Sequence, residues 1–192
     1  AIGRKHTAQD IINALEKVRS VGGMAVNMDL IAGLTSDTVA GFEETLGTVI
    51  ALAPENITVH TLSLKKGSRI TLEGSQLPTA AEVGRMLDIA GDALRGNGYA
   101  PYYLYRQKFM SGGFENVGWT KAGFLNLYNV CIMEELCSII AVGGGGSTKL
   151  VSAGSGRNIR LFAPKYPTEY ISGIEKTCSD KQGIIDFYRK VK

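Results

Sequence analysis

In the first half of the chain the apolar residues switch between two periods, the 3.6-residue spacing of a helix and the short run of a strand, with only brief connections between them. Residues 7–20 carry Ile11, Leu15 and Val18 on one face, with Ile12 beside them. Thr7 is placed to cap that helix, Asp10 completes a capping-box pattern, and Gly22-Gly23 stops it. Residues 24–30 then read as a strand. Residues 37–53 form a second helix pattern through Phe42, Leu46, Val49, Ile50 and Ala53, ended by Pro54. Residues 56–64 read as the next strand and 65–77 as a polar loop. Residues 79–95 form a third helix pattern, with a Thr79/Glu82 capping box and Val83, Met86, Leu87, Ala90 and Leu94 inward. Such alternation across short loops calls for a parallel sheet with crossover helices, as a half barrel or an open sheet. It begins on a helix with no strand before it, and so reads as a piece of something larger.

Beyond Tyr99 the rhythm changes. Residues 101–109 read as a strand, 126–137 as a short helix, and 138–142, 149–153 and 158–162 as short strands joined by glycine turns. Short helices over 168–176 and 180–190 finish the chain. The expected organisation is an α/β part over residues 1–98 followed by an α+β part over 99–192.

The 192 residues are enough for a true hydrophobic core. A net charge of +3 is too weak to argue for nucleic acid. No apolar run reaches bilayer length, and AIGRKHTAQD contains no signal-peptide hydrophobic region. Three cysteines suit a reducing compartment better than a disulfide framework, so a cytoplasmic location is expected.

In a sheet of this kind ligands bind beyond the carboxyl ends of the strands. Asp29, within Asn27-Met28-Asp29-Leu30-Ile31-Ala32-Gly33-Leu34, stands at such an end. It can accept two hydrogen bonds from a ribose diol, or simply cap the following turn. In Ile57-Thr58-Val59-His60-Thr61-Leu62, His60 is either a base or ligand, or a hydrogen-bonded interior residue. His6 is too distant in sequence to share a metal-ligand spacing with it. Pro101-Tyr102-Tyr103-Leu104-Tyr105-Arg106-Gln107-Lys108 places three tyrosines and two cations in eight positions. On a strand Arg106 and Lys108 share a face, fit to meet the carboxylates of a flat anionic ring system or to solvate an edge strand. Gly143-Gly144-Gly145-Gly146-Ser147-Thr148-Lys149 lacks the spacing of a phosphate loop and reads as a tight turn. Cys131 and Cys137 sit in apolar surroundings, with no clustered ligand motif, and read as buried inert thiols.

Taken together, Ile2-Gly3-Arg4-Lys5-His6-Thr7, the Asn27–Leu34 string and Thr58-Val59-His60-Thr61-Leu62 resemble the later strand–helix units of the radical S-adenosylmethionine (SAM) barrel. Their order is similar to that of the oxygen-independent coproporphyrinogen III oxidase branch. The tyrosine string with Glu115-Asn116-Val117-Gly118 resembles its coproporphyrinogen dehydrogenase subgroup. The resemblance implies an α/β fold: later units of a TIM-like barrel, a partial parallel sheet with crossover helices, plus a C-terminal α+β extension. It implies a parent that cleaves SAM with a [4Fe–4S] cluster and decarboxylates coproporphyrinogen III propionates to vinyl groups in heme biosynthesis, drawing on an external electron donor. Arg4 and Asp29 match family positions that contact SAM, and Ser63 falls where the family's backbone approaches it. Arg106 and Lys108 are our candidates for the porphyrinogen carboxylates. The three-cysteine cluster motif does not occur in this chain, which by itself is expected to be inactive, and Gly33-Leu34-Thr35 departs from the family's usual Gly-Leu-Pro. A heme-binding or heme-delivery relative would keep the same SAM motifs, and a non-catalytic binding module is a third alternative. An open sheet edge along residues 24–30 would favour pairing with another chain, so a homo-oligomer is expected.

Overall fold

The computed structural model describes residues 5–63, 76–106, 111–152 and 158–190. Helix α1 (Ala8–Val21) starts at Thr7, whose hydroxyl accepts from the Asp10 N–H while the Asp10 carboxylate accepts from the Thr7 N–H at 2.8 Å. Helix α2 (Val39–Ala51) is capped by Thr38, and α3 (Ala80–Gly96) by the reciprocal Thr79/Glu82 pair. Strands β1 (Asn27–Ala32) and β2 (Asn56–Thr61) pair in parallel, Asp29 beside Thr58 and Ile31 beside His60. The sheet then departs from a run of parallel strands. After α3 the chain forms an antiparallel hairpin, β3 (Tyr99–Tyr105) and β4 (Asn116–Lys121), and β4 pairs antiparallel with β2. The order is β1-β2-β4-β3.

Pairing alternation divides the sheet into two unlike faces. One carries Leu30, Ala32, Ile57, Val59 and Trp119 and is closed by α2 and α3. Phe42, Leu46, Val83, Met86 and Leu94 all lie within 2% of full burial there. Each such side chain contributes about 1.5–3 kcal/mol relative to exposure. The other face carries Asn27, Asp29, Thr58, His60 and, from the hairpin, Asn116 and Gly118. A register shift between Pro101 and Tyr103 turns Tyr103 and Tyr105 onto this second face, opposite Gly118 and Asn116. Pro101 is tolerated because β3 is an edge strand.

Glu55 holds the near end of the sheet. Its carboxylate accepts from Arg19 of α1 at 2.7 Å and from the Val26 N–H at 2.8 Å.

The chain divides into two units, up to Leu125 and from Asn126 onward. The expected division after residue 98 and this one differ by the β3–β4 hairpin, which is hydrogen-bonded into the sheet of the first unit. The second unit contains α4 (Leu127–Met133), the antiparallel pair β5 (Ser147–Val151) and β6 (Asn158–Phe162), and helices α5 (Pro167–Ser172), α6 (Ile174–Asp180) and α7 (Gln182–Lys190). Three expectations change here. Residues 138–142 form no strand, because the Ala141 N–H and C=O both bond the Thr148 hydroxyl and only Ile139 bridges to Lys149. The helix expected over 168–176 divides at Gly173. The thiols are not buried: Cys131 lies on α4, which buries none of its residues, and is half-buried, while Cys137 and Cys178 are exposed.

Candidate functional site

A cleft of about 940 Å³ runs along β1 and the carboxyl ends of β1 and β2, lined by residues of the polar face and, on the helix side, by Phe42, Thr45 and Val49 of α2. A volume of that order suits a cofactor-sized ligand. Asp29, His60, Ser63, Tyr105 and Asn116 are among the residues lining it.

A connected set of side chains crosses this face. The Asn27 amide donates to Asp29 Oδ1 at 2.7 Å. His60 Nε2 stands 3.6 Å from Asp29 Oδ2, and the Tyr105 hydroxyl is 3.2 Å from His60 Nδ1. The Thr58 hydroxyl donates to the side-chain Oδ1 of Asn27 at 3.2 Å and shares a 3.3 Å contact with the Tyr103 hydroxyl. The Tyr103 and Tyr105 rings stack, 7° from parallel with centroids 6.2 Å apart. Tyr103 lies flat over Gly118, where a Cβ would sit 1.9 Å from its ring. Asn116 ends the β2–β4 ladder with its side chain, whose oxygen accepts the Thr61 N–H at 2.7 Å.

Asp29 is the electrostatic centre. Its side chain is 60% exposed to the cleft, so it remains open to a ligand while being held from behind. The His60 side chain lowers its pKa from the usual aspartate value, against the opposing effect of burial, with smaller help from Asn27 and Thr58. At neutral pH this is a fixed carboxylate with acceptor capacity left over, suited to a diol or an ammonium group.

The sequence candidates fare differently. Asp29 and Ser63 meet in the cleft. His60 joins them as Asp29's neighbour, a hydrogen-bonded residue that also lines the site. Arg106 lies just past β3 and is paired with Glu115 at 3.2 Å; it is not a lining residue of the cleft. Arg4 and Lys108 fall outside the described residues. Sequence reasoning took Asn116 and Gly118 only as part of a family string, without their roles on this face, and passed over the pairing of His60 with Tyr105. Pro101 inside a strand pattern was the one available sign of the bulge that aims the tyrosines.

No group of three His, Cys, Asp or Glu side chains able to hold a metal occurs among the described residues. All three cysteines lie in the second unit and none lines the cleft, so the cleft residues do not fit an iron–sulfur cluster, which takes cysteine thiolates. Among the described residues no helix is long and apolar enough to cross a membrane.

Comparison with known proteins agrees with this architecture. In three dimensions the chain superposes on coproporphyrinogen III oxidase (HemN) from Escherichia coli, a radical SAM enzyme, with a TM-score of 0.63 at 16% identity, covering 90% of this chain and 39% of that one. The fold is therefore that of part of a radical SAM protein. In sequence the chain is 38% identical over 183 residues to the oxygen-independent coproporphyrinogen-III oxidase-like protein HemZ of Bacillus subtilis, matching 94% of this chain and 36% of HemZ. It belongs with the oxygen-independent coproporphyrinogen-III oxidase-like proteins. More distant relatives are the heme chaperones HemW of Bacillus subtilis and of Haemophilus influenzae, each 24% identical, over 60% and 90% of this chain. The chain spans about a third of the length of these curated relatives (31–41%). No family model matches it.

Proposed function

We propose that this chain supplies part of the SAM-binding wall of a radical SAM oxidoreductase of heme biosynthesis, one that decarboxylates coproporphyrinogen III propionates. The observation that carries this reading is Asp29: a depressed, half-open carboxylate on the polar face of the sheet, gripped by Asn27 and His60 and facing a cofactor-sized cleft. Its two oxygens keep lone pairs for the 2′- and 3′-hydroxyls of a ribose. Ser63 lines the same cleft, and Arg4, matched to SAM through the family motif, completes the proposed set. When bound together with a [4Fe–4S] cluster, SAM would supply the hydrogen-abstracting chemistry. Within this reading the cluster is held by residues outside this stretch, and this chain alone does not turn over. Arg106 and Lys108 are proposed partners of the porphyrinogen carboxylates. Arg106 would exchange Glu115 for a propionate, a bidentate partner of the same charge.

The test is SAM binding by calorimetry to the full-length protein. Asp29→Asn is expected to weaken it at least about tenfold, the order expected when a hydrogen bond to a charged group is lost. Equal affinity in the variant refutes the assignment. The heme-chaperone relatives favour a second reading, heme binding and delivery with the SAM site retained. Product analysis separates the two: vinyl formation from coproporphyrinogen supports the oxidase, and stoichiometric heme capture without it supports delivery.

A further inference from the structure

We propose that His60 is the positioning residue of this site, with Tyr105 setting its tautomer, and that the pair extends ligand capture by Asp29 to lower pH. The inference rests on the reading that Asp29 receives a ribose diol.

An aspartate carboxylate can rotate about its last torsion with little resistance, because that torsion is broad and two-fold. Here each oxygen meets a different neighbour. Asn27, from the same strand, donates to Oδ1, and His60, from the adjacent strand, faces Oδ2. A carboxylate offers about four lone-pair directions. With Asn27 hydrogen-bonded to Oδ1 and His60 flanking Oδ2 at 3.6 Å, a lone pair on each oxygen stays open for a bidentate diol, and the two neighbours restrict the plane in which it lies. Asn27 alone would leave the group free to pivot about a single contact.

His60 can serve only if the nitrogen facing Asp29 carries the proton. The Tyr105 contact is compatible with that tautomer. The Tyr105 hydroxyl, 3.2 Å from Nδ1, can donate there, which leaves Nε2 as the protonated nitrogen of the neutral ring. Tyr105 is itself held in place by stacking on Tyr103, so the orientation passes from the β3 bulge through Tyr105 and His60 to the ligand-facing carboxylate. The titratable groups that face or share this space are His60 from β2, Tyr103 and Tyr105 from β3, and Asp37 and His6 from the loops lining the cleft. Of these, His60 has the largest effect on Asp29 and favours its ionised form.

The sign follows from that. Asp29 binds a diol while ionised, and its depressed pKa extends the ionised form to lower pH. Binding is therefore lost as pH falls through the lowered Asp29 pKa, and removing His60 moves that loss to higher pH.

The test is binding of S-adenosylhomocysteine to the full-length protein by calorimetry between about pH 4 and pH 8, a range spanning the carboxyl and imidazole titrations. His60→Leu is expected to weaken binding about three- to tenfold at neutral pH, the cost of ordering one freed side chain, and to shift the acid limb upward. His60→Gln, whose amide can donate from nearly the same place, is expected to recover most of the neutral-pH affinity. Tyr105→Phe should fall between wild type and His60→Leu. Unchanged affinity and an unchanged acid limb in His60→Leu would overturn the proposal, as would a loss that His60→Gln fails to recover while both variants fold. A carboxyl-carbon NMR titration of Asp29 separates this from the cofactor assignment. If the wild type does not bind the probe, the SAM reading fails; an upward Asp29 shift in His60→Leu still supports the positioning role, and an unchanged Asp29 titration ends it.

Discussion

Replacing Gly118 by alanine tests how the polar face is built. A methyl carbon at that position would lie 1.9 Å from Tyr103 Cε1, 2.4 Å from Cδ1 and 2.7 Å from Cζ. The ring has little room to retreat. Tyr103 is 9% exposed, bonded to Thr58 and stacked on Tyr105, with Tyr102 edge-on at 4.7 Å. Overpacking of this kind costs about 1–3 kcal/mol. Losing the Thr58–Tyr103 hydrogen bond adds about 1 kcal/mol. Against this, glycine within a strand is itself unfavourable by about 0.5–1 kcal/mol relative to alanine, and that cost is recovered. The net expectation is a loss of about 1–3 kcal/mol, combining those three ranges. Trp119 is the chain's single tryptophan and adjoins the substitution, so its fluorescence during urea unfolding reports on the first unit. The midpoint should fall by about 0.5–2 M for an ordinary urea dependence. The decisive measurement repeats the substitution in a Tyr103→Ala background, where the clash is gone and Gly118→Ala should be neutral or mildly stabilising. Equal costs in the two backgrounds would show that the ring and the glycine are not coupled, and the account of this face would be wrong.

Two further outcomes follow from the same structure. Burial alone would raise the Glu55 pKa, but Arg19 and the Val26 N–H outweigh it and lower the value. Its contribution to stability is therefore present above the unfolded carboxyl pKa and lost as pH falls through the lower folded one. Glu55→Gln should flatten the acid limb of a stability–pH curve and cost about 1–3 kcal/mol at neutral pH; an unaltered acid limb rejects the clamp. Strand β1 is paired on one side only among the described residues, and Met24 beside it is 49% exposed, whereas Leu30 is buried under the helices. Light scattering on this chain is expected to find a dimer or larger assembly, and a stable monomer at low concentration rejects that expectation.

What the sequence revealed follows the range of the forces involved. The helices of the first unit were legible because their determinants are local. Thr7 with Asp10 and Thr79 with Glu82 are three residues apart, and the apolar faces repeat every turn. Asp29 stood out in the sequence for a position it does not hold: β1 runs Asn27–Ala32, so Asp29 is its third residue, on the polar face, and not at the carboxyl end where such sheets bind ligands. Strand β4 was missed because Asn116 and Gly118 lower its strand signal, and both residues answer to partners far along the chain. The same holds for His60. As one histidine in an alternating strand it reads first as a hydrogen-bonded interior residue, and the contact that shows its partner is with Tyr105, 45 residues away. Residues 138–142 had strand composition, but a single threonine hydroxyl, that of Thr148, took the backbone groups a strand would have needed.

The bulge in β3 connects these observations. Counting alternation from Tyr99 without it would place Tyr102 and Leu104 on the polar face and turn Tyr103 and Tyr105 toward the helices. Tyr99 is buried beside Trp119 on the helix-covered face, so the first part of the strand is already committed to that side. One extra residue lets the strand satisfy both requirements, tyrosine against the core at its start and tyrosines on the polar face at its end, where Tyr105 lines the cleft. Gly118 is the complementary half of this arrangement, because Tyr103 can lie flat over β4 only where no Cβ stands. His60 then receives Tyr105 on one nitrogen and Asp29 on the other. An irregularity in an edge strand is thus linked, through Tyr105 and His60, to the surroundings of a carboxylate two strands beyond its pairing partner.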